Sequence, residues 1–376
     1  MDKVRVGVVG LGNMGSTHAK YLAAGVVQGA ELTAVCDINP DRLSWAETAL
    51  GSHITTFDTI ECFLSFPDLD AVIICTLHYT HPDVAIKAFA HGLHVLIEKP
   101  AGVYTKQVRE MNEAAKQSGR AFGIMYNQRT NPLYVKVKAL IETGELGEIR
   151  RTNWTITDWY RSQAYYDSGS WRATWSGEGG GVLLNQCPHQ LDLWQWMLGM
   201  LPYRVRAFCS FGKYRQIEVE DEVTAYVEYT NGATGVFMTT TAEAPGTNRL
   251  EIVGDKGKVV IEEEKLHFWQ LQTPETKFNQ TNTEPFAQPE SWQCHVPIHY
   301  KPNENGHQKI TQNWVEHILK GVPLLAPGVE GIRGLELSNA MYLSSWRADW
   351  VELPIDEQAY YEALQKRIAS SHSRQV

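Results

Sequence analysis

Gly10-Leu11-Gly12-Asn13-Met14-Gly15 follows the apolar run Val4 to Val9 and opens a helical stretch. That is the setting a glycine-rich loop needs to cradle a dinucleotide. Gly10 permits the tight turn out of the strand and Gly12 lets backbone approach a pyrophosphate. Gly15 allows helix and strand to pack closely, with phosphate at the helix N-terminus that Asn13 and Met14 begin. Asp37 stands at the end of the next strand, where a carboxylate holds ribose hydroxyls. A carboxylate repels a 2'-phosphate and no Arg follows directly in Asp37-Ile38-Asn39, so the expected cofactor is NAD rather than NADP. Arg42, one helical turn on, reaches toward the same region and is the residue that would argue otherwise. The plainer alternative, a strand-helix turn with an ordinary Asp37, leaves the coincidence of strand, glycines, helix, strand and acid unexplained.

Two further residues suit proton and charge chemistry. Lys99 follows the strand-like run His94 to Ile97 and so emerges at the carboxyl end of a parallel strand, where ligands bind in such sheets. A cation there stabilises a developing alkoxide; the competing reading is a solvated surface lysine. His189 comes just after Pro188, a residue suited to a first helical turn, and shares a helical face with Asp192, Leu193 and Trp196. Imidazole is the usual protein base near neutral pH, and a neighbouring carboxylate sets its tautomer. The competing reading is a satisfied core histidine beside Asp192. Half of the twelve tryptophans lie between Trp154 and Trp196. Aromatic faces stack on the C–H face of a sugar ring, and Tyr160, Trp171 and Arg172, in irregular polar sequence, are the pocket candidates. Trp194 and Trp196 read as helix core, and His307, beside Gly306, is a weaker pocket candidate. No histidine and acid spacing suggests a metal site.

These residues need elements to hold them. Up to Asn127, short apolar runs (Val4 to Val9, Glu31 to Cys36, Asp70 to Cys75, His94 to Ile97, Ala121 to Met125, and more weakly His53 to Phe57) alternate with helical segments. That rhythm predicts a doubly wound parallel α/β sheet over residues 1–127. Residues 128–376 read as a substrate-binding and oligomerisation α+β domain. It has a helix around Leu133 to Glu142 and another starting near Pro188. Strands then follow without helices between them: Val223 to Glu228, a turn at Asn231-Gly232, Gly232 to Thr240, Leu250 to Val253, Lys258 to Glu262 and Leu266 to Trp269. The resulting sheet should be large, mostly antiparallel and open on one face, which suits a homodimer or homotetramer. Thr273 to Asn305 reads as a long loop, helices follow near Ile310 to Lys320 and Gly331 to Trp346, and the tail Ser370 to Val376 as frayed.

Composition bounds the function. The 376 residues carry 43 Asp and Glu against 34 Lys and Arg, an acidic balance that argues against nucleic-acid or anionic-membrane partners. No apolar run approaches a bilayer span. The start Met-Asp-Lys-Val-Arg lacks the pattern of a secretory signal, so the expected location is cytoplasmic. Six scattered cysteines (Cys36, Cys62, Cys75, Cys187, Cys209, Cys294) read as free thiols.

The chain resembles the Gfo/Idh/MocA family of oxidoreductases, sugar and polyol dehydrogenases with an N-terminal Rossmann domain and a C-terminal open-faced sheet domain. The resemblance rests on Gly10 to Gly15, Glu98-Lys99-Pro100, Asn127-Gln128-Arg129, and Gly179-Gly180-Gly181 followed by Asn185, His189 and Asp192. It implies that Lys99 contacts the reacting hydroxyl, and that Thr76, Leu77, His78, Glu98, Lys99 and Asn127 line the cofactor. His81-Pro82 also fits the family pattern, although His81 also reads as the start of the next helix. The family carries an Asp where this sequence has Asn185. Asn185 can bond a hydroxyl but cannot take its proton, which points to His189 as base with Lys99 as electrostatic partner; the reverse assignment requires a depressed Lys99 pKa. The implied function is NAD-dependent oxidation of a secondary hydroxyl on a cyclic polyol, sugar or anhydrosugar. Two alternatives stay open: an NAD-dependent glycosidase using transient oxidation, and a non-enzymatic NAD-binding sugar sensor.

Overall fold

The computed structural model describes residues 3–300 and 305–371. The chain forms two compact units. The first comprises Met1–Thr130, Gly177–Gly179 and Asn303–Leu335, the second Asn131–Ser176, Gly180–Pro302 and Glu336–Val376.

In chain order the first unit begins with β1 (Val4–Val9), α1 (Asn13–Ala23), β2 (Ala30–Cys36), α2 (Pro40–Ala49), β3 (Thr55–Phe57) and α3 (Ile60–Leu64). It continues with β4 (Ala71–Ile74), α4 (His81–Ala90), β5 (His94–Ile97), α5 (Thr105–Ser118) and β6 (Phe122–Ile124). The strands pair in the order β3-β2-β1-β4-β5-β6, every pair parallel. This is the doubly wound order whose reversal, between β1 and β4, makes a ligand crevice at the strand carboxyl ends. Ala71, Val72, Ile73 and Ile74 are all fully buried, as expected of a strand covered on both faces.

The second unit supplies α6 (Pro132–Glu142), β7 (Ile149–Ile156), α7 (Gln163–Asp167), α8 (Pro188–Leu198), β8 (Arg204–Phe211), β9 (Glu220–Glu228) and β10 (Thr234–Thr240). Then come β11 (Asn248–Gly254), β12 (Gly257–Glu262), β13 (Lys265–Leu271), α9 (Glu275–Thr281) and β14 (Ser291–Cys294). The remaining elements are α10 (Gly306–Lys320), α11 (Gly331–Arg347), β15 (Val351–Glu352) and α12 (Glu357–Ala369). Nine strands form one sheet, β14-β13-β12-β11-β7-β10-β9-β8-β15, antiparallel except where β10 runs parallel to β7. The hairpin of β9 and β10 turns at Asn231-Gly232 in the expected register, with Thr234 opposite Glu228.

The structure corrects the reading of Thr273 to Asn305 as loop. This stretch contains α9 and the edge strand β14, which pairs with β13; 301–304 lie outside the described residues. Of the tail, Ser370 caps α12 and the Ser371 hydroxyl donates to Glu218 Oε2 at 2.6 Å; 372–376 lie outside the described residues. A single cut after residue 127 also differs from the compact units, because α10 packs on β1, β5 and the turn Asn127–Thr130 and so belongs to the first unit.

Candidate active site

The glycine loop is built by steric necessity. Gly10 has φ +84°, and a side chain there would sit 2.6 Å from the Cys75 carbonyl oxygen. At Gly15 an added Cβ would lie 1.7 Å from Gly10 O, whereas at Gly12 it would meet nothing within 4 Å. Gly10 and Gly15 are thus demanded by packing, and the open space at Gly12 is left for a ligand. Gly12 is also the N-cap of α1, whose first-turn amides at Asn13 and Met14 have no partner within the helix. Asp37 closes the other side: its Oδ2 accepts from Leu11 N at 2.5 Å and its Oδ1 from Asn39 N at 2.8 Å. The carboxylate is held against the loop, half-buried, with lone pairs remaining for ribose hydroxyls. Thr76 adjoins Gly10, Leu77 is exposed, and the buried His78 bonds the Glu178 carbonyl through Nδ1 at 3.1 Å. His81 opens α4, with its ring nitrogens bonded to the Pro100 and Thr76 carbonyls.

Beneath Lys99 lies a buried network that sequence reasoning missed. Thr311 on α10 has one hydroxyl proton, which goes to the His307 carbonyl at 2.9 Å. Tyr21 Oη lies 2.7 Å from Thr311 Oγ1 and also bonds His18 Nδ1. His18 Nε2 donates to Glu98 Oε1 at 2.7 Å. Both ring nitrogens of His18 are thus engaged, one with Tyr21 and one with the Glu98 carboxylate. Burial alone would push the Glu98 carboxyl up; the hydrogen bond and charge of His18, with His307 and Lys99 adding to them, hold it at about 2. The second Glu98 oxygen accepts from the Lys99 backbone N–H at 3.1 Å. The ion pair thereby fixes the backbone from which the lysine side chain leaves β5. Asn127 joins from the other side, its Nδ2 at 3.3 Å from His307 Nδ1, while its buried Oδ1 has no partner among the described residues. Burial lowers the His307 pKa, which suits a neutral ring at that contact. No sequence rule singles out His18 or Tyr21, because the groups that give them meaning sit on α10, far along the chain.

The cofactor fits these residues. Glycine space, α1 amides, Asp37 and the orphaned Asn127 Oδ1 are matched to a dinucleotide's pyrophosphate, ribose and amide-bearing ring. All twelve residues expected to line it, from Gly10 to Asn127, lie in the first unit.

The second unit holds the other candidates. Pro188 occupies the first turn of α8, putting His189 at the helix start, half-buried, with Asp192 buried one turn on. Asn185 precedes it in a turn, its N–H on the Gly181 carbonyl at 2.9 Å. Arg172 lies between rings, 4.6 Å from the Tyr165 centroid and 4.5 Å from that of Trp171, and Tyr160 is exposed. Trp194 is fully buried with its indole N–H on Thr152 Oγ1 at 2.8 Å, and Trp196 is half-buried under the Lys138 ammonium. Among the described residues no group of His, Cys, Asp and Glu could hold a metal, and no helix is long and apolar enough to cross a membrane. All six cysteines are free.

Comparison with known proteins agrees with this architecture. Residues 4–126 match the oxidoreductase family model with an NAD-binding Rossmann fold, and residues 134–260 match the GFO/IDH/MocA C-terminal domain. The scyllo-inositol 2-dehydrogenase (NAD(+)) of Bacillus subtilis (strain 168) is 28% identical over 266 residues, 69% of this chain and 74% of that protein. The levoglucosan dehydrogenase of Pseudarthrobacter phenanthrenivorans is 25% identical over 94% of this chain and 99% of its own length. Among solved structures, the WlbA dehydrogenase from Bordetella pertussis in complex with NADH and UDP-GlcNAcA superposes with a TM-score of 0.79 at 28% identity, covering 94% of this chain and 100% of that one. With an N-terminal NAD-binding Rossmann unit and a following nine-stranded sheet unit, the chain belongs to the Gfo/Idh/MocA family of oxidoreductases.

Proposed function

We propose that the protein oxidises a secondary hydroxyl of a cyclic polyol, sugar or anhydrosugar to a ketone. The observation that carries this reading is the anchoring of Lys99 by the His18–Glu98 ion pair, in the unit that also presents the glycine loop and Asp37. Lys99 polarises the hydroxyl and stabilises the alkoxide. Asn185 orients the hydroxyl, and His189 accepts its proton as general base. Tyr160, Trp171 and Arg172 contact the rest of the ring. NAD, when bound, supplies the hydride acceptor. Residues 1–127 carry the nucleotide function and 128–376 the substrate and subunit-assembly functions. The enzyme works in the cytoplasm as a homodimer or homotetramer, on a small molecule and without nucleic-acid or membrane partners. Relatives named for inositol and levoglucosan favour a ring hydroxyl as the reacting group.

Purified protein with NAD and a panel of polyols and sugars should form NADH. Lys99→Ala should lower kcat/KM by about 10³-fold, the range of a lost electrostatic or acid-base partner. Absence of NADH across the panel, or a Lys99→Ala protein as active as the parent, would overturn the reading. Release of free sugar from an aryl glycoside without net NADH would replace it with a glycosidase.

A further inference from the structure

In this acidic chain, four of the five arginines on the strands of the large sheet find carboxylates, Arg150, Arg151, Arg204 and Arg249 each having one within ion-pair distance, while Arg206 bonds Ser344. Three arginines on the loops around α7 do not. Arg161, Arg172 and Arg215 have no ion-pair partner among the described residues. Carboxylates on the same elements are engaged elsewhere: Asp221 takes the backbone amides of Lys213, Tyr214 and Arg215, and Glu218 takes Trp175 N and the Ser371 hydroxyl.

The three guanidiniums are nevertheless held in place. Arg161 and Arg172 both lie against the Tyr165 ring, at 5.0 and 4.6 Å from its centroid. Arg215 donates through Nε to the Arg161 carbonyl at 2.9 Å and lies 5.4 Å from the Tyr160 ring centroid. Each of the first two spends Nη1 locally, Arg161 on the Tyr160 carbonyl and Arg172 on the Tyr165 hydroxyl, both at 2.9 Å. That leaves each with its Nε and Nη2 edge, the fork that grips two oxygens of a carboxylate or phosphate. Stacking on aromatic rings leaves this in-plane edge clear of the rings themselves. Arg161 Nε and the neighbouring Trp159 Nε1 are buried donors without a hydrogen-bond partner among the described residues. Buried donors left unmatched cost free energy unless something supplies acceptors. Tyr165 Oη accepts from both Arg172 and, at 3.4 Å, Gln186 Nε2, so its own proton points elsewhere as a further donor. Gln186 is the residue next to Asn185, which places the cluster in the same unit and beside the same turn as the substrate residues.

We propose that the substrate is an anionic sugar derivative, and that Arg161 and Arg172, seconded by Arg215, bind its carboxylate or phosphate. This rests on the reading of Asn185 and His189 as substrate residues and narrows it from neutral polyols to charged ones.

The test uses the full-length protein and matched compounds: glucose, glucuronate and glucose 6-phosphate, each assayed for NADH formation and, separately, for calorimetric binding. The charged members should exceed glucose in kcat/KM by about 100-fold, a magnitude set by two charge-assisted hydrogen-bonded contacts. Whichever of glucuronate and glucose 6-phosphate is preferred identifies the anion as carboxylate or phosphate. The Arg161→Gln/Arg172→Gln double variant should bring the charged-to-neutral ratio to within about tenfold of unity. If that variant fails to fold by circular dichroism, Arg215→Gln is read for the same ratio. Equal turnover of neutral and charged members, or a ratio unmoved by the substitutions, overturns the proposal while leaving the dehydrogenase reading intact. If no compound is turned over, anion-selective binding lost in the variants upholds the proposal and removes the dehydrogenase reading. Absence of anion-selective binding to the unmodified protein overturns the proposal.

Discussion

Asp37 performs two tasks with one carboxylate. It ties the glycine loop to the end of β2 through Leu11 N and presents its remaining lone pairs outward. Replacing it with Ala should raise the KM for NAD by about 10- to 100-fold, the range of a lost hydrogen bond to a charged group. The effect on kcat should be small, and discrimination against NADP should narrow because the charge that repels a 2'-phosphate is gone. Steady-state kinetics with both cofactors measure this; an unchanged NAD-to-NADP ratio would deny Asp37 the selecting role. Asp37, the glycines and Lys99 were legible in the sequence because each belongs to a local motif of strand, turn and helix start. His18, Tyr21 and Thr311 were not, since His18 reads as one more residue on the buried face of α1 until α10 is folded against it. Arg161 and Arg215 escaped for a similar reason: what distinguishes them is the lack of a carboxylate neighbour, a property of the folded surface.

At the scale of elements, Gly12 and Gly15 separate folding from binding. An alanine at Gly15 drives a Cβ into Gly10 O. It should destabilise the protein by about 1–3 kcal/mol or more, the range for overpacking a tight contact, visible as a lowered melting temperature. An alanine at Gly12, where the space is open, should leave melting within about 0.5 kcal/mol of the parent yet weaken NAD binding, by fluorescence titration, because its methyl occupies the pyrophosphate approach. If both variants melt alike, the packing account fails. In the second unit, Glu220 of β9 is fully buried and accepts from Gly181 N, Leu183 N and the Tyr342 hydroxyl. Burial outweighs these donors and pushes its carboxyl up from 4.5 to about 7. A carboxyl that keeps its proton when folded and releases it when unfolded gives full stability below about pH 4.5. That stability is lost as pH rises to about 7, a loss on the order of 3 kcal/mol. Melting curves between pH 5 and pH 8 should therefore decline less steeply for Glu220→Gln than for the parent, and parallel declines would refute the assignment. Elements such as β1 and β4 were readable as uninterrupted apolar runs. β7 and β8 were not, because Arg150, Arg151, Arg204 and Arg206 interrupt their apolar residues and the pattern appears only once neighbouring strands are paired.

Across the whole molecule, the nine-stranded sheet keeps an uncovered apolar stripe. Tyr226 lies opposite Val236 and Thr224 opposite Met238, with Phe208 beyond Thr224 on β8. Phe208 is 61% exposed and Tyr226, Val236 and Met238 each more than a third. A contiguous patch of this kind suits a subunit interface. The protein should therefore run as a dimer or tetramer in light scattering, and Val236→Glu with Met238→Glu should shift it toward monomer; a monomeric parent would remove the assembly reading. The parallel sheet was legible through β6, but not the return of α10, whose helical pattern alone does not reveal which sheet it covers. That return has a bearing on synthesis. All six parallel strands, the glycine loop and Asp37 leave the ribosome within the first third of the chain. The hydroxyl that completes the Tyr21 and His18 chain comes with Thr311, and α10 ends only at Lys320. Until then the hydrogen-bond chain from Glu98 through His18 and Tyr21 is incomplete in the nascent nucleotide fold, so its last closure waits for almost the entire polypeptide.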